Sequence, residues 1–416
     1  MAETAAGDER RGRFRRPGGG VLLTIAAAGG IALGTVAALA AGTLIGRPGP
    51  GLGAVAGSPG PSASASVDSS ASPTATPTPT PTPAPTRTPY PTPVPTPTPV
   101  AAPLTGRLVA PEIAAQHAIA VMIDDHRDAR PQAGLSEAAV VWHAPAEGGI
   151  PRYMAIFQDT LPTSVGPVRS ARQYYIAWAA EWRAMYVHSG GSPQSLVTLR
   201  NEGQGQVVWN ADEFRWGGRY LWRSRDRFSP HNVYSDGANL RELAARIGAV
   251  DGLLEPAWTF RADALLSERP VGGSISVAYR ANAIRYDYDR ASNTYLRTVG
   301  GEPDGQVDTG TGVRVAPKNV VVVLMNFDPL NDGTTKQRLE ADVLGSGQAY
   351  ISTNGRTVIG TWKKDSMTGP TRFFGPDGMP AALTIGQTFV QVMELGSTVT
   401  VEAGRPPPRS GSGDAV

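Results

Sequence analysis

The sequence has no cysteine among its 416 residues. That excludes a disulfide framework, a thiolate metal site, a cysteine nucleophile and an N-terminal lipid-modified cysteine, so the fold rests on its core alone. Histidine is scarce too. His117, His126, His143, His188 and His231 are the full set, and none has the close spacing that marks a metal motif in sequence. A basic field is also missing: the formal charge is +2, and Arg10, Arg11, Arg13, Arg15 and Arg16 set against Glu3, Asp8 and Glu9 account for it. No nucleic-acid partner is expected of a chain that is otherwise neutral.

The third absence is charge between Arg16 and Arg47. This gap exceeds the ~20 residues needed to cross a bilayer, and "VLLTIAAAGGIALGTVAALAAGTLIG" within it predicts a transmembrane anchor over 17–46 behind a cytoplasmic basic arm, 1–16. A cleaved signal peptide is the alternative, but its apolar core would be shorter, about 7 to 15 residues. Arginines before the segment and few charges after it place the bulk of the chain outside the cytoplasm. From 47 to 103 the composition is Ala, Ser, Thr and Pro, centred on "TPTPTPTPAPTRTPYPTPVPTPTP". Without apolar periodicity it cannot build a core and reads as a semi-rigid, disordered stalk.

Beyond the stalk the pattern predicts a mixed, α+β fold: an N-terminal α/β lobe over 104–255, a mostly antiparallel β lobe over 256–404 and a disordered tail over 405–416. In the first lobe "HAIAVMI" (117–123), "EAAVVWHA" (137–144), "RYMAIFQ" (152–158) and "AMYVHS" (184–189) read as buried strands. Val168, Ala171, Tyr175, Trp178 and Trp182 recur at helical spacing. Further helices are expected behind Ser192 as N-cap with Pro193 as first residue, and from Asp236 as N-cap to Gly248 as stop. The second lobe is a run of short strands parted by Gly, Asn and Asp, from "GSISVAYR" to "STVTVEA".

Chemistry concentrates where strands give way to glycine turns and helix starts. "SVGPVRSARQYYIAWAAEW" (164–182) would put Arg169 and Arg172 in a first helical turn, against the macrodipole, so an anion should compensate them. Either a ligand supplies it, or Glu147, Glu181 or Asp159 does so internally. "VHSGGS" gathers His188, Ser189 and Ser192 at a similar junction, and "EGGIPR" sets Glu147 and Arg152 around two glycines suited to positive φ. "YLWRSRDRFSPHNVY" adds Arg223, His231 and Asn232 in an aromatic-rich loop that could stack on a sugar. The candidate ligand-binding set is therefore Arg152, Arg169, Arg172, His188, Ser189, Ser192, Arg223, His231 and Asn232, with Glu147, His188 and His231 as candidate acid/base groups. No metal site and no cofactor is assigned; Asp124–Asp125 reads as a strand-end turn before it reads as a cation site.

Taken together, "ARPQAGLSEA", "EGGIPRYMAIF", "VGPVRSAR", "VHSGGS", "SPHNVY", "YDYDRASNTYLR", "NVVVV" and "NGRTVIGTWKK" make the chain resemble the bacterial envelope family typified by the YerB lipoprotein, over nearly all of 105–402. The resemblance implies an N-terminal mixed domain and a C-terminal β domain, and no established reaction. The lipoprotein-type cysteine is missing, and Pro151 stands where similar sequences often carry Thr. Three function classes follow: an envelope protein binding an anionic or sugar-containing ligand, a hydrolase or transferase acting on cell-wall glycan or phosphodiester polymers, or a scaffold for an envelope protein partner.

Overall fold

The structure, a computed structural model, describes residues 97–407 apart from 253, 301 and 303. The anchor expected over 17–46 and most of the stalk lie outside the described residues, and among those described no helix is long and apolar enough to cross a membrane. The folded part begins slightly earlier than the composition suggests. Val100 and Ala101 already pair with Val109 and Leu108, and Ala102 is buried.

In the first half of the chain lie β1 (Ile119–Asp124), β2 (Val140–Ala144), β3 (Arg152–Phe157), helix α1 (Gln173–Ala179), β4 (Met185–His188), α2 (Pro193–Glu202), β5 (Trp209–Asp212) and α3 (Gly237–Ile247). The second half supplies β6 (Ser274–Ala278), β7 (Ala283–Asp289), β8 (Thr294–Val299), β9 (Asn319–Met325), the small β10 (Phe327–Pro329) and β11 (Leu339–Ala341), then β12 (Gly345–Thr353), β13 (Arg356–Lys364), β14 (Arg372–Phe374), β15 (Thr388–Glu394) and β16 (Val399–Glu402). The strand β5, at the sheet's edge, has no counterpart in the sequence reading, because "WNAD" alternates too weakly to announce itself.

The two halves do not stand as separate lobes. They join in one ten-stranded sheet of order β14-β13-β12-β9-β15-β2-β3-β1-β4-β5, and the joint is the parallel pair β15–β2. The second half is correspondingly less antiparallel than its turn-rich sequence implies, since β9 also pairs in parallel with β15. Strands β9, β15, β2, β1, β4 and β5 all run one way, with β3 reversed between β2 and β1.

Both faces of this sheet are covered, which is why its central strands are buried at nearly every position. Along β1, Ala120 and Met122 pack into one cluster with Trp142, Trp178 and Tyr186, while Ile119, Val121 and Ile123 pack into the other with Leu240 and Leu243 of α3. The four-stranded antiparallel sheet β8-β7-β6-β16 lies on this second side, through Ile275, Ile284, Tyr286 and Val299.

The helix expected from Val168 is shorter than its pattern. It starts only at Gln173, with Arg172 extended at its N-cap. Val168 bridges Ile123 and Ala171 bridges Gly191, so residues 165–171 are held as extended backbone across the ends of β1 and β4. Arg169 and Arg172 therefore never enter a helical turn, and the expected conflict with the macrodipole does not arise.

Candidate functional site

The carboxyl ends of the like-directed strands form one rim, where open α/β sheets commonly take ligands. Three polar groupings and a cleft lie along it.

The first grouping is centred on Glu147, at the β2–β3 turn. Its carboxylate accepts bonds from Arg172 Nε at 2.8 Å and from Arg172 Nη2, and from Arg152 Nη2 at 3.0 Å. Arg152 also donates to Ser170 O at 2.9 Å. Burial pushes the Glu147 carboxyl up, but the Arg152 and Arg172 guanidiniums outweigh it and hold the group at about 2. The expected internal anion is thus Glu147 for Arg172 and Arg152, while Arg169 takes Asp124. Glu181 and Asp159 serve elsewhere, with Lys364 and Arg107. Arg172 is only 4% exposed. These two arginines fasten the glycine turn to the 170–172 segment, and Gly148 and Gly149 take the positive φ expected of them, 69° and 75°.

The second grouping surrounds Asp124, the last residue of β1. Its Oδ2 accepts from Arg169 Nε at 2.8 Å and lies 2.7 Å from His231 Nδ1, while Oδ1 accepts from the His126 backbone N–H at 3.1 Å. The rings of His126 and His231 stack with centroids 4.9 Å apart.

The third is formed by Glu213, which accepts from Ser189 Oγ at 3.1 Å and from Arg223 Nη2 at 3.0 Å; Arg223 also donates to Asn232 Oδ1 at 3.1 Å. His188 and Ser192 do not reach the rim's surface. The His188 ring is fully buried between Gly190 O and Asn210 Oδ1, each 2.8 Å away, and Ser192 is spent capping α2, accepting from Ser195 N. So the structure brings Arg169 with His231, Arg152 with Arg172, and Ser189 with Arg223 and Asn232, and encloses the remaining two.

The cleft is elsewhere on the same rim. A cavity of about 970 Å³ opens between the Glu147 turn and the loop joining β10 to β11, floored by the ends of β2 and β15. Gly148, Gly149, Asn331, Thr334 and Glu394 line it, with Arg280 from the loop after β6. The Arg280 stem lies so close over Gly149 that a Cβ there would meet its Cδ at 2.7 Å. Among the described residues Arg280 makes no ion pair, so its guanidinium remains available to the cleft. Arg280, Asn331, Thr334 and Glu394 were not singled out from the sequence. They come from loops and a strand end of the second half, where no pattern ties a residue to a turn roughly 130 to 250 positions upstream.

Beneath the rim, a wholly buried polar network spans the two halves. His143 Nε2 lies 3.1 Å from Asp125 Oδ2 and its Nδ1 2.9 Å from Gln391 Oε1, and Asn282 donates to Asp125 at 2.6 Å. Arg297 donates to Tyr286 Oη at 2.9 Å and to Gln306, which in turn donates to Gln132 at 2.9 Å. Burial pushes the Asp125 carboxyl up, but the His143 bond and the charges of Arg130 and Arg297 bring it below its usual range; burial lowers His143. An ionised Asp125 thus faces two guanidiniums, Arg130 and Arg297, with a neutral His143 between, and the Glu302 carboxyl stands 3.9 Å from Arg130 Nε.

The fold and rim define a two-part mixed domain whose halves are joined through one sheet. The chain belongs to the family described as "Protein of unknown function (DUF3048)": the N-terminal domain of that family matches residues 104–249 and the C-terminal domain residues 275–390. It is 30% identical over 271 residues to "Putative lipoprotein YerB" of Bacillus subtilis (strain 168), an alignment covering 63% of this chain and 77% of that protein. It is similar in structure to the crystal structure of the YerB protein from Bacillus subtilis, with a TM-score of 0.64 and 26% identity over 72% of this chain and 99% of the other.

Proposed function

We propose that this chain is a membrane-tethered, extracytoplasmic envelope protein that binds a sugar-containing ligand bearing an anionic group in the cleft beside the Glu147 turn. The observation that carries this reading is the cleft itself: about 970 Å³ at the carboxyl rim, with Arg280 unpaired in its wall. Its dimensions suit a small-molecule or oligosaccharide unit. Neutral groups such as Asn331 and Thr335 offer hydrogen bonds to hydroxyls, and Arg280 offers a planar fork to a carboxylate or phosphate. Arg152 and Arg172 act one step removed, setting the turn rather than touching ligand. Membrane association is supported by the relative's description as a lipoprotein; here the apolar stretch in 17–46 would replace the lipid.

The test is thermal unfolding of the full chain with muropeptides, teichoic-acid fragments and phosphorylated sugars, on wild type and on Arg280→Ala. A compound at 100 times its Kd should stabilise wild type by about 2.7 kcal/mol, and the shift should fall in the variant. An equal shift in both removes the cleft from the account.

A hydrolase or transferase reading is favoured by a single arrangement, His231 oriented by Asp124. Glu147 does not fit it as a general acid, since it is ionised far below neutral pH, and His188 is enclosed.

A further inference from the structure

We infer that the rim carries a binding site for a divalent cation of the zinc class, formed by His126, Asp128 and His231. The inference does not rest on the sugar-binding cleft. One ligating atom from each of the three residues lies within 4.8 Å of the others. His126 Nδ1 and Asp128 Oδ2 are already 3.6 Å apart, against the roughly 3.3 Å that two ligands at zinc distances span in tetrahedral geometry.

What distinguishes this from a chance surface grouping is the support behind it. The Asp124 carboxylate, whose side chain is 4% exposed, takes His231 at Nδ1 and so leaves Nε2 as the lone-pair nitrogen. This carboxylate–histidine arrangement is the one that orients ligating imidazoles in metal sites. The same carboxylate fixes the other ligand's loop, through the His126 backbone N–H, and is itself steadied by Arg169. His126 and Asp128 are the exposed partners, with side chains 38% and 71% exposed, so closing the remaining gap of up to about 1.5 Å takes rotamer changes and release of the bond that His126 Nδ1 accepts from the Asp128 backbone N–H at 3.2 Å.

A cavity of about 550 Å³ opens beside the site, lined by Asp128, Asp226, Arg227 and His231. Asp226 adds a further carboxylate to its wall. Two of the nearby positive charges are already committed, Arg169 to Asp124, and Arg227 to the backbone carbonyls of Ala129, Arg130 and Pro131. Two nitrogens and one oxygen with open positions suit Zn²⁺ or Co²⁺ better than Ca²⁺ or Mg²⁺, which want oxygen ligands. Sequence spacing hides the site because 105 residues separate the two histidines, and the 165–171 segment brings them together.

The experiment is a titration of the full-length chain, purified without a histidine tag, with Co²⁺ followed by visible absorption and with Zn²⁺ followed by calorimetry. One equivalent per chain is expected, with a ligand-field spectrum of low coordination number. His231→Ala should weaken binding at least tenfold. Because that change also uncovers Asp124, the deciding variant is His126→Ala with Asp128→Asn, whose exposed side chains can be lost without unfolding the chain. Absence of stoichiometric binding to wild type, or unchanged affinity in this double variant, would overturn the site.

Discussion

Glu147 holds two guanidiniums, and removing its charge leaves both buried without a counter-ion. Glu147→Gln should cost about 3 kcal/mol at neutral pH, measured by urea unfolding. The sign with pH follows from the depressed carboxyl. Its folded value of about 2 lies below the ordinary 4.5, so the stabilisation is complete above pH 4.5 and is lost as pH falls toward 2. The gap between wild type and variant should therefore shrink across that window; a gap that stays constant would mean the arginines gain nothing from the charge. At this scale the sequence was partly legible. "EGGIPR" announced its turn through two adjacent glycines, and Glu147 stood among the anions that could compensate the arginines. Arg297 was just as readable but passed unnoticed. In "TYLRTV" it shares the inward phase of Tyr295 and Val299, and a charge on a strand's apolar phase marks a buried network.

Elements with their own end signals were the most legible. The helix α3 runs from Gly237 to Ile247 between Asp236 and Gly248, as its caps announce, and Asp236 Oδ1 accepts from Asn239 N at 2.8 Å. Asp236→Ala should lower stability by about 1 kcal/mol, whereas Asp236→Asn should keep most of it; equal losses in thermal unfolding would show that the cap is not the cause. The stretch before α1 misled for the opposite reason. Val168 and Ala171 are apolar at helical spacing because, as extended backbone, they bridge Ile123 of β1 and Gly191 in the turn after β4, and a period read from few residues does not separate the two cases. Strand β15 was legible as a strand, but its partners were not, since a "TFVQVME" buried in all but its last residue fits parallel and antiparallel neighbours alike.

At the scale of the whole molecule, the halves depend on one another. Separating them would bare β2 and β15, both buried along nearly their whole length, and leave Asp125 and His143 without Asn282, Arg297 and Gln391. The full chain should unfold in one cooperative transition, and a fragment ending near residue 250 should show none and should aggregate; a fragment that melts cooperatively would mean that the joint is incidental. The same joint gives the cleft its floor, which links architecture to the proposed activity. The most direct measurement is amide hydrogen exchange of the full chain with and without soluble muropeptides and teichoic-acid fragments. The account predicts slowed exchange in residues 146–149, 278–280 and 330–338, around the cleft. Protection confined to residues 223–232, with the cleft segments unchanged, would contradict it.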